Sequence, residues 1–451
     1  MHPWIAVPRR SFSLRAWSPA PSRPSCCLGR LRRRRHSPIP WSTSPSSARG
    51  RRRTSRTCAS WGPKAGRWRP PWRWMAPPSA TCSCARGDDV SPGDARPRAT
   101  VGAGRRLRAS RVLGLCAAFL GLTLVAFAFA VRFGEQPISL MAALGDAGSS
   151  DAVIFWSLRL PRALLGVIVG AGLAASGATL QGLLRNPLAD PFVLGVSGGA
   201  ALGATLALAL GLATVGQVAP GLAGGLERLS GPALLAFLGA GASVFFVLAA
   251  SRGHAARAPY AALLTGVVFN AFASAAITLV KTLSAPDRLG EILYWLAGTL
   301  GYERGATLGL AALLQGGALA VMLALSGQLN LMTLGDEDAQ TLGVPVARTR
   351  RLLLLATSAS VAGAVALTGL IGFVGLIVPH LLRLAFGPDQ RLLIPLSALG
   401  GAAFLVLADL LARLSFAFFG AEPPVGVITA MLGGPLFIGL LSRRGSPGTQ
   451  A

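Results

Sequence analysis

Few residues in this chain of 451 combine type and spacing in a way that could do chemistry. Asp409 and Arg413 stand four apart in an apolar run, which puts them on one helix face as an ion pair or a proton-handling site. His380 and Arg383 follow Pro379 at the end of another such run. The bland readings serve both sets better: a helix-end ion pair, a snorkelling base, and a proline that kinks or shortens its helix. A phosphate-binding loop needs glycines followed by Lys and Ser or Thr. The chain has only Lys64 and Lys281, and Lys281, beside Thr282, follows Val280 where that loop requires Gly. Cys82-Ser83-Cys84 has no second pair or His at zinc spacing. No catalytic residue, metal site or cofactor is assigned. If the protein uses ATP, the hydrolysing site belongs to another subunit.

The elements that must position these residues follow from composition. Hydrophobic residues make up 52% of the chain and charged ones 13%, outside the range of soluble domains. The net charge of +26 is concentrated: residues 1 to 100 hold 21 Lys or Arg against three acids, and seven of the nine Trp. Readings for this stretch include an Arg-rich nucleic-acid arm, a transit peptide and a polybasic membrane-surface segment. Its Arg, Pro, Ser, Trp, Cys, Gly and Ala bias without apolar periodicity fits better a disordered basic tail, or GC-rich DNA translated upstream of the true start. Residues 1–104 are therefore set apart with no nucleic-acid partner assigned, 105–445 form the working domain, and 446–451 form a short tail.

From residue 105 the chain reads as ten apolar segments of near bilayer-spanning length: 112–131, 161–184, 192–212, 232–250, 260–280, 306–325, 352–369, 370–385, 392–412 and 425–441. The expected fold is an all-α polytopic membrane protein of about ten transmembrane helices. Ten spans put both ends on one side, and loop charge favours the cytoplasm, with 14 Lys or Arg inside against eight outside. Arg159, Arg162 and Arg413 are three of those eight. Small residues such as Gly166 and Gly170, in GxxxG spacing, predict close helix packing.

Several motifs recur here in one order: Arg159-Leu160-Pro161-Arg162, Gln181-Gly182-Leu183-Leu184-Arg185-Asn186-Pro187-Leu188-Ala189-Asp190-Pro191, Leu194-Gly195-Val196-Ser197-Gly198, Leu334-Gly335 with Leu342-Gly343-Val344, Gly372 to His380, Asp409 with Arg413, and Pro424-Val425-Gly426. Over residues 108 to 445 the chain closely resembles the FecCD family of ABC importer permeases, which take up ferric siderophores, haem or cobalamin. The resemblance implies a homodimer, or a pair with a paralogous permease, in the bacterial inner membrane, joined to cytoplasmic ATPase subunits and an extracytoplasmic substrate-binding protein. It implies that Arg159, Arg162 and Arg413 face outward to receive acids of the binding protein. Leu334, Gly335, Asp336, Glu337, Ala339, Leu342 and Gly343 fall on the ATPase coupling element. Three acids there would start a helix favourably against its dipole, and Gly343 would end it. Asn186 and Leu188 match the cytoplasmic gate, while Pro259 and Tyr260 stand where the family's second gate segment has small hydroxyl residues. An ion-coupled secondary transporter is the alternative, and a membrane enzyme a more distant one.

Overall fold

The structure, a computed structural model, describes residues 109–134, 136–146, 148–214, 230–250, 258–303 and 305–444. The basic segment 1–104 and the tail 446–451 lie outside the described residues. Ten apolar helices carry the fold among the described residues: α1 (Ala109–Arg132), α2 (Leu160–Leu183), α3 (Val196–Ala209), α4 (Gly231–Ala250), α5 (Ala258–Leu283), α6 (Gly305–Ala324), α7 (Val346–Thr368), α8 (Val374–Phe386), α9 (Gln390–Leu414) and α10 (Val425–Arg444). Six lie in helical stretches long and apolar enough to cross a membrane, and four are shorter apolar helices. The expected all-α bundle is what forms, one helix per apolar segment.

Three boundaries differ from the sequence reading, each for a backbone reason. Pro161 has no N–H to give the carbonyl four residues back, so the turn before it widens into a π-helix over Ile154–Arg159, and Leu160 N–H bonds Phe155 O. Helical structure thus runs unbroken from Ser150 to Leu183. The third segment is split: a 3₁₀ turn, Pro191–Leu194, is capped by Asp190 and ends at Gly195, where φ is +86°, before α3 begins. The eighth segment becomes helical only at Val374, after Phe373 at φ +69°.

The centre of the bundle is α2, which packs against α6, α7, α8 and α9, while α3 is clasped between α4 and α5. From Gly170 to Ala178 every residue of α2 except Leu173 is Gly, Ala or Ser, so there backbones rather than side chains can meet. Gly170 lies against the Gly401 carbonyl of α9. Gly177 lies against the Gly375 carbonyl of α8. That second carbonyl is the one Pro379 leaves without its helical donor, four residues on, so the proline of α8 and the glycine of α2 form one device. The proline shortens the hydrogen-bond ladder, and the glycine lets a Cα–H face the orphaned oxygen.

Gly177→Ala is therefore expected to lower stability by about 1–3 kcal/mol, the usual cost of overpacking, because a Cβ there overlaps backbone that cannot rotate away. Gly121→Ala on α1, where a Cβ meets nothing within 4 Å, should leave the thermal unfolding midpoint in detergent unchanged or slightly raised. Equal midpoints for the two variants would remove the backbone-contact account.

Candidate functional site

At one end of α2 the π turn presents Arg159, and one turn later α2 presents Arg162. The last turn of α9 adds Arg413. All three are buried, with side chains turned inward around a cavity of about 200 Å³ that they line with Gly134, Gln136, Tyr302 and Glu422. The three arginines that the sequence marked out thus line one shared cavity in this chain. The reason is electrostatic: each guanidinium has found an acceptor within the fold.

Arg162 donates through Nε and Nη2 to Asp409 Oδ1 at 2.9 and 2.7 Å, and through Nη1 to the Tyr302 hydroxyl at 3.2 Å. Its Nη2 also reaches Glu422 Oε1. Arg413 pairs with the other oxygen of Asp409 at 3.1 Å and donates to the carbonyls of Phe133 and Ala130. The expected Asp409–Arg413 pair is present, but Asp409 serves a second arginine 247 residues away. Arg159 donates only to the carbonyls of Val131, Arg132 and Gln136 and has no acid at ion-pair distance among the described residues. Among the described residues the cluster therefore holds three guanidinium groups against two carboxylates, one positive charge in excess.

At the opposite end of α2, Arg185 takes φ +50° and the chain turns through Asn186. The Asn186 side chain accepts from Leu188 N at 3.0 Å, a short turn that leaves Asn186 and Leu188 exposed. Asp190 caps the next turn through Phe192 N at 2.9 Å. Desolvation holds its carboxyl above the ordinary range, and that backbone bond works the other way. Pro259 and Tyr260 sit in the first turn of α5, and their side chains lie outside the described residues.

Beside this turn lies a short helix, Asp336–Thr341, with three acids in its first turn. It ends as the sequence predicts. Gly343 takes φ +83°, with Gly343 N bonding Gln340 O and Val344 N bonding Ala339 O. This paired C-terminal motif is sealed by the contact of buried Ala339 and Val344. Leu334 and Leu342 stay exposed at 66% and 58%, and Glu337 points to the surface. Asp336 does more than start the helix. Its two oxygens pair with Arg185 and Arg350, each at 2.6 Å, and Arg185 also bonds Met332 O at 2.7 Å. The end of α2, the short helix and the start of α7 are tied through one carboxylate. Sequence reasoning missed this shared role: Arg185 stands there only as part of a motif, and Arg350 only as one of several basic residues near the start of an apolar run.

Within the ten helices, among the described residues, Asp409 is the sole carboxylate. The other notable buried polar group, Gln315 on α6, exchanges two hydrogen bonds with Ser360 on α7 at 2.6 and 2.7 Å. His380 and Arg383 stand on α8, His380 buried and Arg383 partly so. No group of three or more His, Cys, Asp or Glu suited to a metal occurs among the described residues.

The chain as a whole is similar to known proteins. Over 292 residues the chain is 44% identical to the cobalamin import system permease protein BtuC of Halobacterium salinarum, covering 65% of this chain and 74% of that one. Over 330 residues it is 40% identical to the hemin transport system permease protein HmuU of Yersinia pestis, covering 72% and 95%. A solved structure described as an inward-facing conformation of a metal-chelate type ABC transporter matches with a TM-score of 0.62 and 30% identity, over 73% of this chain and 99% of that one. The profile of the FecCD transport family spans residues 122–443, from the middle of α1 to the last turn of α10. With the family profile covering the ten-helix bundle, this chain belongs to the FecCD transport family.

Proposed function

We propose that this chain is the membrane-spanning subunit of a binding-protein-dependent ABC importer that carries a metal chelate (a ferric siderophore, haem or cobalamin) into the bacterial cytoplasm. A separate ATPase subunit supplies the energy, both termini lie in the cytoplasm, and two permease subunits form the pathway. The observation that carries this reading is the Asp336 junction. It presents two exposed leucines and an acid-rich turn on a backbone tied to α2 and α7, which suits a part that receives force from a soluble partner. The cargo class is supported by the relatives, whose named cargoes, cobalamin and hemin, are both metal macrocycles. The inner gate is formed by Asn186 and Leu188. An ion-coupled carrier is disfavoured because the sole carboxylate within the ten helices, among the described residues, is spent on two arginines.

At the other end, the spare positive charge around Arg159 draws in a carboxylate of the binding protein. Arg162 and Arg413 belong to the same docking cluster, but reversing them would set new carboxylates against buried Asp409 and damage the fold. Arg159 has no acid to lose among the described residues, so Arg159→Glu is the clean test. Binding-protein affinity should fall at least about tenfold, ~1.4 kcal/mol, with a steeper loss at low salt than at high. Recovery with a partner whose matching acid is changed to Lys would support docking, and unchanged affinity at both salts would sink it.

A further inference from the structure

We infer that Glu422 is an internal substitute for the binding protein's carboxylate, occupying Arg162 until docking displaces it. This rests on the docking reading above. The donors of the cluster differ in whether they can change partners. Arg159 has spent its bonds on three backbone carbonyls, and Arg413 on two carbonyls and Asp409. Asp409 is 1% exposed and fixed between two helices, out of reach of any incoming group. Glu422 differs in both respects. Its side chain is 26% exposed, and it stands in the non-helical linker Gly420 to Pro424 between two helices. An approaching carboxylate can replace this acceptor of Arg162 like for like, with no unpaired charge left behind. Replacing any of the others would orphan a buried group.

The position of Glu422 gives the exchange a consequence. Together with Arg162 and Tyr302 it borders the 200 Å³ arginine cavity on one side and, on the other, a second cavity of about 250 Å³ lined by Tyr294, Thr299 and Pro424. Two residues beyond that linker, Gly426 N bonds Gly298 O at 3.0 Å, and Gly426 lies against the Ala297 carbonyl. Those carbonyls end the helix Pro286–Ala297, which joins α5 to α6 on the same face. Release of Glu422 therefore frees the linker that sets the start of α10 against this helix. Docking is read as movement of the lid-like segment from Pro286 to Gly298.

The test compares wild type, Glu422→Gln, Glu422→Ala and Arg159→Glu chains in lipid nanodiscs, titrated with the purified substrate-loaded binding protein of the same transport system. Removing the competing carboxylate should tighten binding about fivefold or more in both Glu422 variants, and Arg159→Glu should weaken it. Unchanged or weaker binding in the two Glu422 variants, with binding lost in Arg159→Glu, would overturn the substitution while leaving docking standing. Unchanged binding in all three would overturn docking and this inference together. A gain confined to one Glu422 variant would also overturn it, since both remove the same charge. Labelling of Thr299→Cys by a membrane-impermeant maleimide gives a second readout that leaves Glu422 in place. In detergent without partner it should be slow, and several-fold faster once Glu422→Gln is added. Equal rates would count against release of the linker.

Discussion

Asp409→Asn is expected to be the most damaging single substitution in the chain, lowering stability by about 3–5 kcal/mol, the range for breaking a buried ion pair from one side. Asparagine keeps the shape and removes the charge. Arg162 and Arg413 would then face each other at the end of the bundle with their common counter-charge gone, in a place where neither is more than 7% exposed. A protein whose whole margin is about 5–15 kcal/mol feels such a loss as reduced yield and a lower unfolding temperature. The companion variant Asp409→Asn with Arg413→Gln removes one of the stranded charges and should recover part of the loss. The interaction energy from that double-mutant cycle, read by thermal unfolding in detergent, separates a charge effect from a packing effect. Additive losses would show that the two residues do not act as a pair.

The second large effect is expected at the other end of α2 and shows in transport instead of stability. Deleting residues 335 to 343 should abolish transport while leaving membrane insertion intact, and Asp336→Ala should reduce transport more than tenfold. The pairs of Asp336 with Arg185 and Arg350 are partly exposed, at 38% for the acid, so each contributes only about 0.2–1 kcal/mol to folding. The unfolding midpoint of Asp336→Ala should therefore move little. What disappears is the tie by which the short helix moves α2 and α7 together. Assay in proteoliposomes with the ATPase and binding protein present decides it: retained transport in Asp336→Ala would remove the tie from the mechanism, and transport surviving the deletion would remove the coupling assignment itself.

Much of this architecture could be read from the sequence because a bilayer imposes one length on every apolar run, and ten such runs gave ten helices. What could not be read were places where the backbone departs from its ladder for local reasons. Pro161 is visible in the sequence, but the π turn it causes is not. Gly195 could have been one more packing glycine, and only the fold shows it as the break between a 3₁₀ turn and α3. The arginines stood out as charges on the side where the positive-inside pattern does not expect them. Their partners did not, because Asp409 and Glu422 lie 247 and 260 residues from Arg162, and one sequence offers no way to pair residues so far apart. The same limit hid the double use of Asp336, which, as one of three adjacent acids, already had a sufficient local explanation in the helix dipole.

Arg162 and Arg185 sit at opposite ends of one helix. At about 1.5 Å per residue, the 24 residues of α2 span roughly 36 Å. At Gly170 and Gly177 its neighbours α9 and α8 touch it glycine to carbonyl. Two such backbone contacts resist sliding of α2 against α8 and α9, which would suit it to move as a lever between its two ion-paired arginines. A tilt imposed at Arg185 would then reach Arg162 through the helix itself. The two faces of the membrane would then exchange signals as mechanical displacement of one rod, at the speed of a rigid-body rotation, without a chain of side-chain rearrangements between them.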